Sequence, residues 1–203
     1  MELFTVGDFK VFDIPEFRER MAAIVSRIRP KLTSIGAELV PKVSALVDRP
    51  LYVHVAKHAR RTVNPPDDTW AAMAASPRGY KADVHFKVAV SRHCVRFLFE
   101  AGPEYYAKQA WLKAWRRQFK DIGAGLRGLE WFRNEHDEEP VVFADLKQAA
   151  DELTRRKDGQ FVLGRRIDAA EFSKMKPRQV EKAALETFGA AAPLFGIYKQ
   201  RSG

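Results

Sequence analysis

The chain holds one cysteine, Cys94, in 203 residues, so a disulfide scaffold is excluded. Long apolar runs are also missing. The longest stretch without a charged residue, Thr187 to Tyr198, spans 12 residues, against the ~20 that a membrane-crossing helix needs. There is no low-complexity linker and no repeat at a period of about 20–50 residues. Disorder is excluded by a hydrophobic content of 46% and an aromatic share of 11%. A chain of 23.1 kDa can bury about 70% of its open surface without a staple. One domain over residues 1–203 is the expectation, with a helical pair at 13–48, a sheet-rich centre at 51–133 and a helix–strand–helix part at 143–199.

Acidic residues are in short supply. The balance is 35 basic against 26 acidic groups, a net charge of +9. Residues 51–100 and 151–203 each contribute +4, and the other two quarters together contribute +1. No block of five like charges occurs, so any positive patch has to be assembled by folding. A pI near 9.7 favours acidic partners: nucleic acid, a phosphorylated small molecule or an anionic surface. The start of the chain lacks a basic segment followed by an apolar one. Together with the lone cysteine, this gives the expectation of a cytoplasmic protein.

Apolar spacing predicts the elements. Asp13 and Glu16 have capping-box spacing, with Pro15 suited to a first turn. A stripe of Phe17, Met21, Ile24, Val25 and Ile28 follows. Pro30 predicts a break or kink before a second stripe of Leu32, Ile35, Leu39, Val43 and Leu46. Alternation predicts strands at Leu51–Val55, Val84–Val90 and Cys94–Glu100, with a weaker candidate at Thr69–Ala75; Leu129–Arg133 reads as a short strand and Gln160–Ile167 is strand-like. Ser91-Arg92-His93 predicts an antiparallel hairpin. Helices are expected over Glu104–Asp121, Phe143–Lys157 and Arg178–Ala192, with Pro193 ending or kinking the last. The mixed order implies an α+β fold: an antiparallel sheet of five to six strands with helices mainly on one face.

The segment richest in chemistry runs from His54 to Phe86. Lys57, Arg60, Arg61, Arg78 and Lys81 are set against only Asp67, Asp68 and Asp83. Guanidinium groups match phosphate or carboxylate oxygens. Trp70 and Tyr80 are candidates to stack on a base, and Asn64-Pro65-Pro66 predicts a stiff turn. The candidate ligand-binding set is Lys57, His58, Arg60, Arg61, Asn64, Trp70, Arg78, Tyr80 and Lys81. The competing reading pairs these arginines with acids such as those of 135–139 and puts Trp70 and Tyr80 in the core. His54, His58 and His85, with Asp67 or Asp68, are weak metal-ligand candidates. On a regular strand His54 and His58 would lie ~13 Å apart, and no paired-ligand motif supports a site. No cofactor fingerprint is present. His58 beside Lys57, Arg60 and Arg61 is the candidate general base, because like charge disfavours its imidazolium form.

The run Lys57-His58-Ala59-Arg60-Arg61-Thr62-Val63-Asn64-Pro65-Pro66, then Trp70, Arg78-Gly79-Tyr80-Lys81 and His85-Phe86, resembles the signature stretch of the YktB-like family of uncharacterised bacterial proteins. Phe9, Phe12, Arg20-Met21 and Arg29-Pro30-Lys31-Leu32 are similar as well. The resemblance covers the first half of the chain and fades after Glu100. It implies a compact α+β fold and a bacterial cytoplasmic protein, and it supplies no catalytic residues. Two readings follow: a non-catalytic module that binds RNA, DNA or a nucleotide-like ligand through residues 57–81, or a small enzyme on an anionic metabolite with His58 as base and the arginines as clamp.

Overall fold

A computed structural model describes residues 1–142 and 146–197. Six strands form one antiparallel sheet in the order β1-β2-β3-β4-β6-β5. They are β1 (Tyr52–Val55), β2 (Asp68–Ala74), β3 (His85–Ser91), β4 (Cys94–Ala101), β5 (Glu130–Phe132) and β6 (Phe161–Asp168). Helices pack on one face, giving the α+β arrangement expected from the strand and helix order. They are α1 (Val6–Phe9), α2 (Phe17–Ala23), α3 (Arg29–Leu46), α4 (Lys108–Gly123), α5 (Leu146–Arg155), α6 (Ala169–Phe172) and α7 (Pro177–Gly196).

Strand periodicity sorts the side chains. Met73, Phe86, Val88, Val90, Val95, Phe97, Phe99 and Leu163 join the main core with Ile35, Leu39, Trp111, Phe188 and Leu194 from the helices. The alternate positions Asp68, Trp70, His85, Lys87, Arg96 and Glu100 point to the opposite face, and all are buried. Successive strand residues face opposite sides of a sheet, so one register places an apolar face and a charged face back to back. Gly164 of β6 makes the close approach to β4 possible, since a Cβ there would fall 1.8 Å from the Phe97 carbonyl oxygen.

Three local expectations change. The helix expected to start near Asp13 is α2, which begins at Phe17 with Glu16 at its N-cap; the short α1 precedes it. Asp13 ends a 3₁₀ turn over Lys10–Asp13 and pairs with Arg92 Nε at 2.7 Å. Pro30 does not divide the N-terminal helices into a pair with a break. The chain stays helical from Phe17 to Leu46, through a π turn at Ile24–Ile28 just before Arg29 and Pro30. A proline lacks the N–H of the normal ladder and its ring crowds the preceding turn; a widened turn there relieves both. Pro193 likewise lies inside α7, and Leu194 and Phe195 beyond it are buried in the core. The helix expected over Phe143–Lys157 is seen as α5, and Phe143 itself lies outside the described residues.

Candidate functional site

The connection from β1 to β2 carries the basic segment, and arginines of the N-terminal helices hold it at both ends. At its start, Arg29 Nη2 donates to the Lys57 carbonyl at 2.7 Å. At its end, Arg20, only 7% exposed, donates to the Pro66 carbonyl at 3.1 Å and to Asp67 Oδ1 at 3.2 Å, and its Nε also donates to the Ile14 carbonyl. Between these anchors the Arg61 N–H closes a turn on the His58 carbonyl. His58 sits in that turn with a left-handed φ of 50°, a conformation that histidine adopts more readily than most residues. The stiffness expected from Asn64-Pro65-Pro66 thus has an added source in two buried or half-buried guanidinium contacts.

The segment borders a cleft of about 390 Å³. Lys57, His58, Arg60, Arg61, Trp70, Tyr80, Lys81 and His136 line it together with Glu135. Asn64 and Arg78 are exposed and do not line it. The side chains of Lys57, Arg60, Arg61 and Arg78 form no ion pair with the described residues, whereas Lys81 Nζ pairs with Glu104 at 3.3 Å. Trp70 is 8% exposed, so it serves as a wall of the cleft rather than an open stacking platform. The edge of the His58 ring meets it at 5.3 Å between centroids, the His136 ring lies at 5.7 Å, and Lys87 Nζ sits 4.4 Å from its ring centre. Its indole N–H donates to Tyr80 Oη at 2.9 Å.

Under the cleft lies a buried charge network. Lys87 Nζ contacts Glu100 Oε2 at 2.8 Å and also Glu135. His85 Nε2 lies 3.2 Å from the same Glu100 oxygen. Asp68 uses its two oxygens separately. Oδ2 accepts from Arg96 Nη2 at 2.8 Å, and Oδ1 accepts from His136 Nδ1 at 3.0 Å. Arg96 also donates to the carbonyls of Glu135 and Asp137. Buried cations of β3 and β4 therefore clamp the loop that carries His136. Burial alone would strip the proton from Lys87, but the carboxylates of Glu100 and Glu135 outweigh it and raise its pKa. Burial would likewise raise Glu100, and the charges of Lys87 and His85 instead hold it below the usual carboxylate range.

The two cleft histidines diverge. Burial pushes His58 down to about 4; the Asp68 charge opposes this, and Arg61, Arg29 and His136 add to it. His136 is raised, first by its hydrogen bond to Asp68 and against the cost of burial. At neutral pH His58 is therefore neutral.

Each of the three histidines considered as metal ligands has its own hydrogen-bond partner. His54 Nε2 bonds the Ser76 carbonyl at 2.9 Å, His58 Nε2 the Thr69 hydroxyl at 3.0 Å, and His85 Nδ1 the Asp83 carbonyl at 3.1 Å. Among the described residues no group of His, Cys, Asp or Glu side chains is placed to hold a metal ion. Of the competing sequence readings, each is half reflected in the geometry. Trp70 is in the core, but among the acids at 135–139 Glu135 pairs with Lys87 and Glu139 with Arg166, and none pairs with an arginine of the segment among the described residues. Lys87, Arg96, Glu100 and His136 escaped the sequence reading. The strand alternation held the missing signal for three of them: a hairpin closed at Ser91–His93 puts His85 opposite Glu100 and Ala89 opposite Arg96. Nothing local marks His136.

The site is thus that of a basic α+β protein with a cation-rimmed cleft of about 390 Å³ beside a buried ionic network. Residues 4–195 match the family described as a domain of unknown function, DUF1054. The chain is 31% identical to the UPF0637 protein ABC2405 of Shouchella clausii over 96% of this chain and 93% of the relative. It is 32% identical to the UPF0637 protein OB1420 of Oceanobacillus iheyensis over 97% of each. With a Staphylococcus carnosus UPF0637 protein it shares 34% over 81% of this chain and 83% of the relative. The chain belongs to this bacterial UPF0637, or YktB-like, family. The likeness spans the second half as well, which the sequence resemblance alone did not reach. No helix among the described residues is long and apolar enough to cross a membrane.

Proposed function

We propose that the protein binds a phosphate-bearing ligand, a nucleotide or a nucleotide unit of RNA or DNA, in the cleft beside Lys57–Arg61. The observation that carries this reading is the set of cations without acidic partners among the described residues: Lys57, Arg60 and Arg61 rim a concavity whose one lining carboxylate, Glu135, is already engaged by Lys87. A cleft of about 390 Å³ lies within the range of small-molecule sites. It favours a nucleotide-sized occupant over a long strand laid on a flat face. Lys57, Arg60 and Arg61 contact phosphate, His58, Trp70, Tyr80 and His136 form the wall, and Lys81 joins once released from Glu104. Arg78 and Asn64 act at most on an extension of the ligand outside the cleft. A cytoplasmic site of action accords with the sole cysteine, Cys94, being a buried thiol.

A second reading, an enzyme acting on an anionic metabolite with His58 as base, gains support from one observation. His58 is neutral at physiological pH and lines the same cleft as the cations.

The test is calorimetric titration with pyrophosphate, ATP and a short single-stranded RNA at several salt concentrations. Affinity for at least one of them is expected to fall as salt rises. Absence of binding, or binding indifferent to salt, overturns the reading.

A further inference from the structure

The cleft holds two histidines in complementary settings, both packed against Trp70. His58 is fixed by a short turn and bonded through Nε2 to the Thr69 hydroxyl at 3.0 Å. In the tautomer that donates Nε2–H to that oxygen, the lone pair resides on Nδ1, the nitrogen a base would use. His136 is held from the other ring position. A carboxylate can only accept, so Nδ1–H donates to Asp68 Oδ1 at 3.0 Å. Its Nε2 is 3.7 Å from Glu135 Oε1, beyond a hydrogen bond, and its side chain is 45% exposed. Asp68 in turn is locked by Arg96. Both rings border the cleft that Lys57, Arg60 and Arg61 rim.

We propose that this site cleaves a phosphodiester, with His58 as general base, His136 as general acid and Asp68 as the residue that positions His136. The inference rests on the phosphate-binding reading above. A diester suits the pair better than a monoester. The transition state of monoester transfer is loose and asks little of a base, whereas an alkoxide leaving from a diester needs a proton and its incoming nucleophile must lose one. In the step, His58 Nδ1 takes a proton from water as the water oxygen bonds to phosphorus. The ester P–O bond breaks, and the departing oxygen takes the proton from His136 Nε2. One water is consumed, an alcohol and a phosphomonoester form, and the histidines regain their starting protonation by exchange with solvent. The settings agree with these roles: burial keeps His58 neutral, and the hydrogen bond to Asp68 favours the protonated form of His136.

The groups facing His58 are Thr69, Asp68, Arg61, Arg29 and His136; those facing His136 are Asp68, Glu135 and Lys87. A bell-shaped pH–rate profile is expected, its acid limb set by His58 and its basic limb by His136. Loss of the Asp68 charge in Asp68→Asn lowers the basic limb, because the carboxylate is what raises His136.

The experiment uses the full chain with two diesters, a diribonucleotide and bis(p-nitrophenyl) phosphate, and measures binding of the diribonucleotide separately. Asparagine tolerates the left-handed backbone at position 58, so His58→Asn is the base variant and His136→Asn the acid variant. His58→Asn is expected to slow both substrates by ~100-fold or more. His136→Asn is expected to slow the dinucleotide by a similar factor and the nitrophenyl ester by less than ~10-fold, since p-nitrophenolate leaves without a proton. Equal losses on both esters with His136→Asn would mark a structural role and overturn the assignment. So would wild-type rates in both variants. Binding of the dinucleotide without cleavage of either ester overturns the phosphodiesterase and leaves the binding reading standing; absence of both binding and cleavage overturns the two together.

Discussion

The ammonium of Lys87 sits 4.4 Å from the centre of the Trp70 ring while contacting Glu100 at 2.8 Å, with no exposed surface. This one side chain joins the wall of the cleft to the ionic network beneath it. Its surroundings make it expensive to remove, because Glu100 and Glu135 would then be buried without their cation.

Replacing Lys87 by methionine is expected to cost about 3–5 kcal/mol of folding stability. Urea unfolding of the variant and the wild type measures the difference. A change below ~1 kcal/mol would mean that the network relaxes around the loss.

Acid should weaken the fold in two stages. His58 has a folded pKa of about 4, below the unfolded value of ~6.5. A depressed group contributes stability that is present above its unfolded pKa and lost as pH falls through that window, here from ~6.5 towards 4. Asp68 and Glu100 are also depressed, by charges and hydrogen bonds that outweigh burial. Their contribution disappears below pH ~4. His136 is raised, so its contribution is full below ~6.5 and fades as pH rises through its folded value. Unfolding free energies measured from pH 4.5 to 6.5 should rise with pH in the wild type and rise less in His58→Asn.

Reversing charge at the rim separates binding from folding. Arg60 and Arg61 are exposed and unpaired among the described residues. The double variant Arg60→Glu, Arg61→Glu should therefore keep wild-type stability within ~0.5 kcal/mol. Its affinity for the ligand that binds should fall by more than ~10-fold, with a shallower salt dependence. Paired calorimetry and urea unfolding supply both values.

Gly164 tests the register that aligns the charged face. A methyl group there would meet the Phe97 carbonyl oxygen at 1.8 Å and the Leu98 Cα at 2.9 Å. These are backbone atoms of the paired strand, so no side-chain rotation relieves the clash. Gly164→Ala is expected to destabilise by ~3 kcal/mol or more, read as a lowered thermal midpoint.

The sequence made the strand pattern legible wherever an apolar residue alternated with something else. Val84–Val90 and Cys94–Glu100 fall within a residue or two of β3 and β4, and the hairpin between them lies where Ser91-Arg92-His93 put it. β2 gave a weaker signal because alanine fills it and both of its faces are buried. Of the break or kink expected at Pro30 and the end or kink expected at Pro193, neither a break nor an end occurs: Pro30 sits behind a π turn and Pro193 inside a helix whose Leu194 and Phe195 are buried in the core. At the site, the cations of residues 57–61 were legible from local density of charge. Their freedom from acids was not, because it depends on Lys87 and Arg96 reaching the acidic loop first. His136 could not be foreseen. It comes to Asp68 across 68 positions of sequence, brought there by the β5–β6 pairing and by Arg96 and Lys87 holding the loop after β5.

The most direct test of the account is a titration of ¹⁵N-labelled protein with pyrophosphate, followed by NMR through the backbone amides, the tryptophan indoles and the histidine rings. The account predicts saturable shifts concentrated on Lys57–Arg61, the Trp70 indole and the rings of His58 and His136, with Arg78 and the helical face unmoved. Shifts that never saturate, or that centre on another surface, would contradict it.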